Sequence, residues 1–350
     1  MSALSSPDGP SRGGRSAERA RRWWRHPGRR AGLIAVLLCV GLAAAGCGTS
    51  APTVRPPAAP TGPVAGTSPD GRGAIRPLPA PTGCTAVVTD AVSMSAAIES
   101  ALPGDTICVR GTIADKRLVI RKSGNQGAPI KIVGDGQAVV HGITVDANYV
   151  SISGLNSVNP NAPGISLSGN NITLENSTSI SPRGDDGDAL RFWGNNITIR
   201  HNTMRDTKNL NGAHADCMQT FATDEGHLAS QHVLIDSNRC EDIDNTCLIM
   251  EGPHSLAGDG SGVGASNDVT FTNNYCQNNA SEALQIDDVQ NLTITNNDIE
   301  GNNDHAFALQ NLTTGAKVSG NKLNPAVHFE VGMDDSSAPG YQGPPSGGNP

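Results

Sequence analysis

An all-β, single-stranded parallel β-helix is the fold the sequence predicts, and two observations predict it. The first is a near-repeat running from about residue 164 to residue 321. One series of short apolar stretches reads GISLSG, ALRFWG, CMQTFA, CLIMEG, ALQIDD and AFALQN, starting at Gly164, Ala189, Cys217, Cys247, Ala283 and Ala306. The other reads NNITLENS, NNITIRHN, QHVLIDSN, NDVTFTNN and QNLTITNN, and it brings Asn202, Asn238, Asn274 and Asn297 to matching places. The second observation is the alternation of apolar and polar residues inside each stretch, which is the period of a strand. The shortest repeat, 23 residues from Asn274 to Asn297, is too short for a βαβ unit and suits one coil of a solenoid. A single coil cannot bury its apolar face, so stacking must build one continuous core. Matched Asn side chains at each bend would then form a hydrogen-bonded ladder that satisfies buried turn backbone.

The ends read differently. Eight arginines between Arg12 and Arg30 precede the apolar run 31–46, which is too short for a membrane span and has the form of an export signal. The junction Leu42-Ala43-Ala44-Ala45-Gly46-Cys47 resembles the bacterial lipobox, in which the cysteine carries the lipid. Residues 1–47 are therefore expected to be a signal peptide with a lipobox, and Cys47 a lipidation site that tethers the chain to a membrane. An ordinary cleaved signal peptide is the alternative. Residues 48–82, rich in Pro, Thr, Ala and Gly, read as a disordered linker, and 334–350 as a disordered tail, leaving 83–333 for the folded domain. Removing 1–46 takes eight Arg and two acids from the 25 basic and 33 acidic residues, so the exported chain carries a net charge of about −14. A nucleic-acid partner is disfavoured by that balance. No C-x-x-C, H-E-x-x-H, phosphate-loop or G-x-S-x-G pattern is present, so zinc, nucleotide and serine-hydrolase chemistry have no support.

Aligning the first strand of each coil on Leu190, Met218, Leu248, Leu284 and Phe307 predicts an outer face ordered in columns. Two residues earlier stand Asp188, Asp216, Thr246, Glu282 and His305. One residue later come Arg191, Gln219, Ile249, Gln285 and Ala308, and three later Trp193, Phe221, Glu251, Asp287 and Gln310. Asp188 should lie beside Asp216, and Glu251 near Asp287. Trp193, the only tryptophan left after export, should point outward, covered by a sugar ring or by a long loop. Long insertions at 207–215, 223–230 and 252–265 would wall this face and bring His214, Asp224, Glu225, His227 and His254 to its edge. Asp185, Asp186, Asp188 and Asp216 could form an oxygen-rich calcium site, although an Asp-rich turn is also ordinary turn chemistry.

The openings Asp188-Ala189-Leu190 and Ala215-Asp216-Cys217-Met218 resemble the N-T-D-G and D-D-C-I strand openings of polygalacturonase-type hydrolases. Those belong to the pectin-lyase-like superfamily of right-handed parallel β-helices. The resemblance implies acids on adjacent coils acting as general acid and base. The next opening, Asn245-Thr246-Cys247, departs from the G-H-G of those hydrolases, so pectin hydrolysis is not carried over. The helical pattern Ser93–Ala101 resembles the N-terminal capping helix of the superfamily, which a Cys84–Cys108 disulfide would staple. Coil stacking at about 4.8 Å would allow Cys217–Cys247 and Cys240–Cys276 bridges as well, with reduced buried thiols as the alternative.

Together these readings predict an exported, monomeric polysaccharide lyase that cleaves a uronate glycan by β-elimination. Asp188, Asp216, Arg191 and His214 are the expected catalytic residues, with Arg191 or His214 as base. Trp193, Gln219, Phe221, Glu251 and Asp287 are expected to bind substrate, with calcium at Asp185 and Asp186. An inverting glycoside hydrolase and a non-catalytic carbohydrate-binding or adhesion protein are the alternatives.

Overall fold

The computed structural model describes residues 77–222, 227–255 and 265–350. The expected signal peptide with Cys47, most of the linker, and Asp224 and Glu225 lie outside the described residues. Within them the chain opens with one capping helix, Ala91–Glu99, followed by a stack of parallel strands. Asp90 starts the helix by accepting hydrogen bonds from the Val92 and Ser93 amides at 2.9 Å, and the Ser93 hydroxyl accepts one from the Asp90 amide. This reciprocal cap satisfies donors that the first turn would leave unpaired. Met94 and Ile98 turn inward and close the end of the core, and Cys84–Cys108 staples the segment with a Cα separation of 5.7 Å.

Each coil contributes to three faces. One is a nine-stranded parallel sheet: Leu118–Ile120, Ile143–Asp146, Ile165–Ser168, Leu190–Trp193, Met218–Phe221, Leu248–Glu251, Glu282–Asp287, His305–Gln310 and Phe329–Met333. The other two are ladders of one larger sheet, for example Asn195–Arg200 on Gln231–Asp236, and Thr203–Thr207 on Arg239–Ile243. Inward residues such as Phe192, Phe271 and Phe307 are fully buried along the axis.

The predicted ladder stands at the bend between those two faces. The Ser177 amide donates to Asn202 Oδ1, Asn202 to Asn238, Asn238 to Asn274, Asn274 to Asn297, and Asn297 to Asn321, at 2.8–3.0 Å. Each Asn also donates through Nδ2 to a backbone carbonyl of a neighbouring coil, as Asn238 does to Ile199. The steps are 25, 36, 36, 23 and 24 residues, so insertions of variable length leave the bend in register. The residue before each rung takes a left-handed backbone: Asn176, His201, Ser237, Asn273 and Asn296, with φ of 49–57°. Asn tolerates that region best, and position alone imposes it on His201 and Ser237.

Two disulfides differ from expectation. Cys217 pairs with Cys240, and Cys247 with Cys276, at Cα separations of 5.9 and 6.0 Å, instead of Cys217–Cys247 and Cys240–Cys276. Cys240 and Cys276 are indeed in-register neighbours on adjacent coils. Stacked neighbours, however, hold their Cβ vectors parallel, whereas a disulfide needs them to converge. Convergence occurs across the core, between the nine-stranded sheet and the larger one.

The tail expected to be disordered is also placed. The Gln342 amide donates to Ala316, Val318 to Gln342, Gly347 to Val331 and Met333 to Gly348, so 334–350 lies on the last coil. Its polar, Gly- and Pro-rich composition hid a role that needs only backbone groups: pairing the exposed end of the stack.

Candidate functional site

The columns predicted for the outer face of the nine-stranded sheet form in register. Arg191 pairs with Gln219, Gln219 with Ile249, Ile249 with Gln285 and Gln285 with Ala308. Phe221 pairs with Glu251, Glu251 with Asp287 and Asp287 with Gln310. Parallel pairing repeats each side chain one coil further on, so it brings together residues about 30 positions apart in sequence.

Asp188 and Asp216, expected on an exposed face, are fully buried. Each precedes its strand by two positions, where the chain turns in from the preceding loop, and there the carboxylates serve backbone. Asp188 Oδ1 accepts from the Asp216 amide at 2.9 Å, and Asp216 Oδ1 from the Thr246 amide, the Thr246 hydroxyl and Asn245 Nδ2 at 2.8–2.9 Å. Burial pushes both acids up, Asp216 well above the usual carboxylate range, and the neighbouring Asp188 charge pushes Asp216 further. Asp216 Oδ2 has no hydrogen-bond partner.

Arg191 leaves the strand outward and is clamped by three acids. Asp188 accepts from Nε at 2.6 Å, Asp186 from Nη2 at 3.0 Å, and Asp185 from Nη1 at 3.4 Å. Burial favours loss of its proton, but the three carboxylates, Asp188 foremost, outweigh this and hold the guanidinium charged. A base at this position is therefore disfavoured, contrary to expectation, and Arg191 is a fixed cation. The same contacts bear on calcium. Asp185 and Asp186 are already engaged by Arg191, and among the described residues no group of three or more His, Cys, Asp or Glu is placed to hold a metal ion. The cluster as built does not fit calcium.

Trp193 is 6 % exposed. Its Nε1 donates to the Phe221 carbonyl at 2.9 Å, Phe221 meets it edge-on at 5.2 Å, and His227 lies 4.8 Å away. Phe221 and His227 therefore cover the ring, and His227 stands in an insertion expected to wall this face. Phe221 stays partly exposed, with Arg191 5.7 Å from its ring centroid. Gln219 is buried and its Oε1 has no partner. His214 is half-buried in the loop leading to Asp216.

Glu251 and Asp287 form the second acidic pair, in register on adjacent coils. Burial, then the Asp287 charge, raises Glu251 to about 8, so it carries a proton at neutral pH. Asp287 is raised by burial as well, although it accepts hydrogen bonds from Asn311 Nδ2 at 2.6 Å and Gln285 Nε2 at 3.4 Å. One carboxyl that keeps its proton near neutrality beside another of raised basicity can both donate and accept a proton. The sequence placed both residues but only as substrate contacts; nothing local to either shows that its neighbours exclude water. His305, in the same column as Asp188 and Asp216 by sequence, has both ring nitrogens buried without a partner, and its ring stacks on Phe329 at 5.6 Å.

The family model described as a right handed beta helix region matches residues 130–323. A mannuronic acid specific polysaccharide family 6 lyase from human gut microbiota is similar in structure, with a TM-score of 0.53 and 14 % identity over 70 % of this chain and 60 % of that one. A variant of the PL6 family alginate lyase AlyGC gives a TM-score of 0.50 and 16 % identity over 73 % of this chain and 40 % of the other. At such identity the likeness establishes the fold alone, and this chain spans 60 % of the first enzyme and 40 % of the second. No curated protein matches the chain in sequence. With a match over more than half its length and three faces of parallel strands, the chain belongs to the right-handed β-helix family.

Proposed function

We propose that the protein is an exported polysaccharide lyase that acts on a uronate glycan at the outer face of the nine-stranded sheet. The observation that carries this reading is the Glu251–Asp287 pair, with Glu251 held protonated up to about pH 8. β-Elimination removes the proton next to the uronate carboxylate, sends the electron pair into a new carbon–carbon double bond, and expels the glycosidic oxygen, which must take up a proton. Asp287, more basic than an ordinary aspartate, is suited to accept the first proton, and neutral Glu251 to supply the second. Phe221, paired with Glu251 on the adjacent coil, offers an apolar ring to a sugar face, and Arg191 lies beside that ring with its charge balanced by its three aspartates. Asp188 and Asp216 act as positioning residues: one orients Arg191, the other fixes the opening of the next coil. The lyases that share this fold act on mannuronate and alginate, which supports the substrate class. Three disulfides suit an oxidising location outside the cell, and the expected lipid at Cys47 would keep the protein at the membrane surface.

The same carboxyl pair favours glycoside hydrolysis as the second reading, since one protonated and one ionised acid are its minimum requirement. Incubation with a panel of uronate and neutral polysaccharides, with calcium and with chelator, separates the readings. A lyase generates an unsaturated product absorbing near about 235 nm by base-promoted elimination. A hydrolase generates reducing ends without that absorbance, and silence on both readouts leaves a binding protein.

A further inference from the structure

The 14 lysines and arginines of the described residues fall into two populations. In the central and C-terminal coils most are neutralised: Arg183 by Asp206, Arg191 by three aspartates, Arg200 by Glu175, Lys208 by Asp206, Asp242 and Asp244, Arg239 by Glu241, and Lys322 by Asp298 and Glu300. Near the capping helix the pattern reverses. Arg110, Lys116, Arg117, Arg121, Lys122 and Lys131 lie within one stretch of chain that holds a single acid, Asp115. None has a carboxylate partner among the described residues, and all but Arg117 are exposed. Arg117 is a structural residue whose guanidinium donates to the carbonyls of Ile143, Asn161 and Pro163.

These cations surround a cavity of about 260 Å³ between the helix and the first rung of the nine-stranded sheet. Lys116, Arg121 and Lys122 line it with Val119, Met94 and Ile98, and Glu99 is the one acid on its wall. The rung is continuous with the candidate site. Val119 pairs with Thr144, Thr144 with Ser166 and Ser166 with Arg191, so one outward column joins the basic cavity to the fixed arginine. The column between is short and polar, and its three coil steps span about 14 Å.

We propose that the cavity of Lys116, Arg121 and Lys122 is an anion-binding site, which holds the uronate carboxylates of a glycan chain lying along this column. The inference rests on the reading of the substrate as a polyuronate. On a chain of net negative charge, clustered unneutralised cations beside an apolar floor attract a polyanion to one place, and the remaining surface repels it. Exposed Lys and Arg act as a salt-sensitive clamp and leave the chemistry to groups further along the sheet.

The test is affinity electrophoresis of the full chain through gels containing polymannuronate, with a neutral glucan gel as control, for wild type, K116Q/R121Q/K122Q and E251Q. Parallel co-sedimentation uses phosphatidylglycerol vesicles. The three substituted side chains are exposed, and the melting temperature of the variant checks that it folds. The expected result is retardation of wild type and of E251Q by polymannuronate alone, weakened about tenfold by the triple substitution and by salt. Binding needs no turnover, so retardation in a protein that cleaves nothing keeps the anion site and removes the lyase. Turnover of polymannuronate with unchanged affinity in the triple variant keeps the lyase and overturns the anion site. Retention on vesicles without retardation by polymannuronate overturns it in favour of a membrane surface, and retardation by neither overturns it outright.

Discussion

Two regions of this molecule bury polar side chains on neighbouring coils and treat them in opposite ways. In the Asn ladder at the bend of the larger sheet, every rung both gives and receives: Asn238 accepts from Asn202 and donates to Asn274 and to the Ile199 carbonyl. No Oδ1 or Nδ2 atom of Asn202, Asn238, Asn274 or Asn297 is left unsatisfied. On the outer face of the nine-stranded sheet, Gln219 Oε1 is buried without a partner, and Glu251 keeps its proton to about pH 8. A satisfied network rigidifies a fold, whereas unsatisfied groups and displaced acidities cost stability and persist where they serve chemistry. The bend is built for the solenoid and the face for a ligand.

The sharpest separation comes from Glu251→Gln. It keeps shape and removes the exchangeable proton, so turnover of polyuronate should fall by about 10²–10⁴-fold, the usual worth of a general acid. Wild-type turnover should itself fall as pH rises through about 8, where Glu251 ionises. The same substitution should not weaken the fold at alkaline pH. Glu251 is raised in the folded state, so its stabilisation is fully present below its unfolded value of 4.5 and is lost as pH rises through about 8. Melting curves should therefore show wild type losing stability between pH 4.5 and 8 relative to E251Q, by roughly 3–5 kcal/mol at the upper end.

The converse change lies in the ladder. Asn238→Ala removes four hydrogen bonds and strands the Asn202 amide and the Ile199 carbonyl of the adjoining coil, for an expected loss of about 3 kcal/mol in denaturant titration with activity per folded molecule unchanged. A fall in turnover without a fall in stability would erase the distinction between the regions. Paired Cys247→Ala and Cys276→Ala should cost about 3 kcal/mol, as expected for a closed loop of this length, again without touching chemistry. Peptide mapping of the unreduced protein checks the pairing itself. The smallest effect is expected from Asp216→Asn, which keeps the side-chain shape and the acceptor for Thr246 and Asn245. Stability at pH 7 should rise or stay within about 1 kcal/mol, and turnover should change by less than about tenfold.

What the sequence made legible follows the same division. Repetition is visible in text, so the coils, the Asn rungs and the outer columns from Arg191 to Ala308 could be written down before any coordinate. Burial and convergence are not visible in text. The spacing of Cys217, Cys240, Cys247 and Cys276 fits stacked neighbours as well as partners across the core, and only the direction of each Cβ separates the two. Asp188 and Asp216 looked like surface acids because the strand period extends to them, but the chain is already turning there and their carboxylates serve amides. The sequence left Trp193 between a sugar and a loop, and Phe221 at the strand end with His227 beyond it decided it.

The most direct test of the account is the initial rate of unsaturated-product formation from polymannuronate by wild type, E251Q and D216N at pH 7. The account predicts turnover by wild type and by D216N, with E251Q slower by at least about 10²-fold. Turnover that survives in E251Q and vanishes in D216N would contradict it, returning the chemistry to the buried pair and reducing Glu251 and Asp287 to structure.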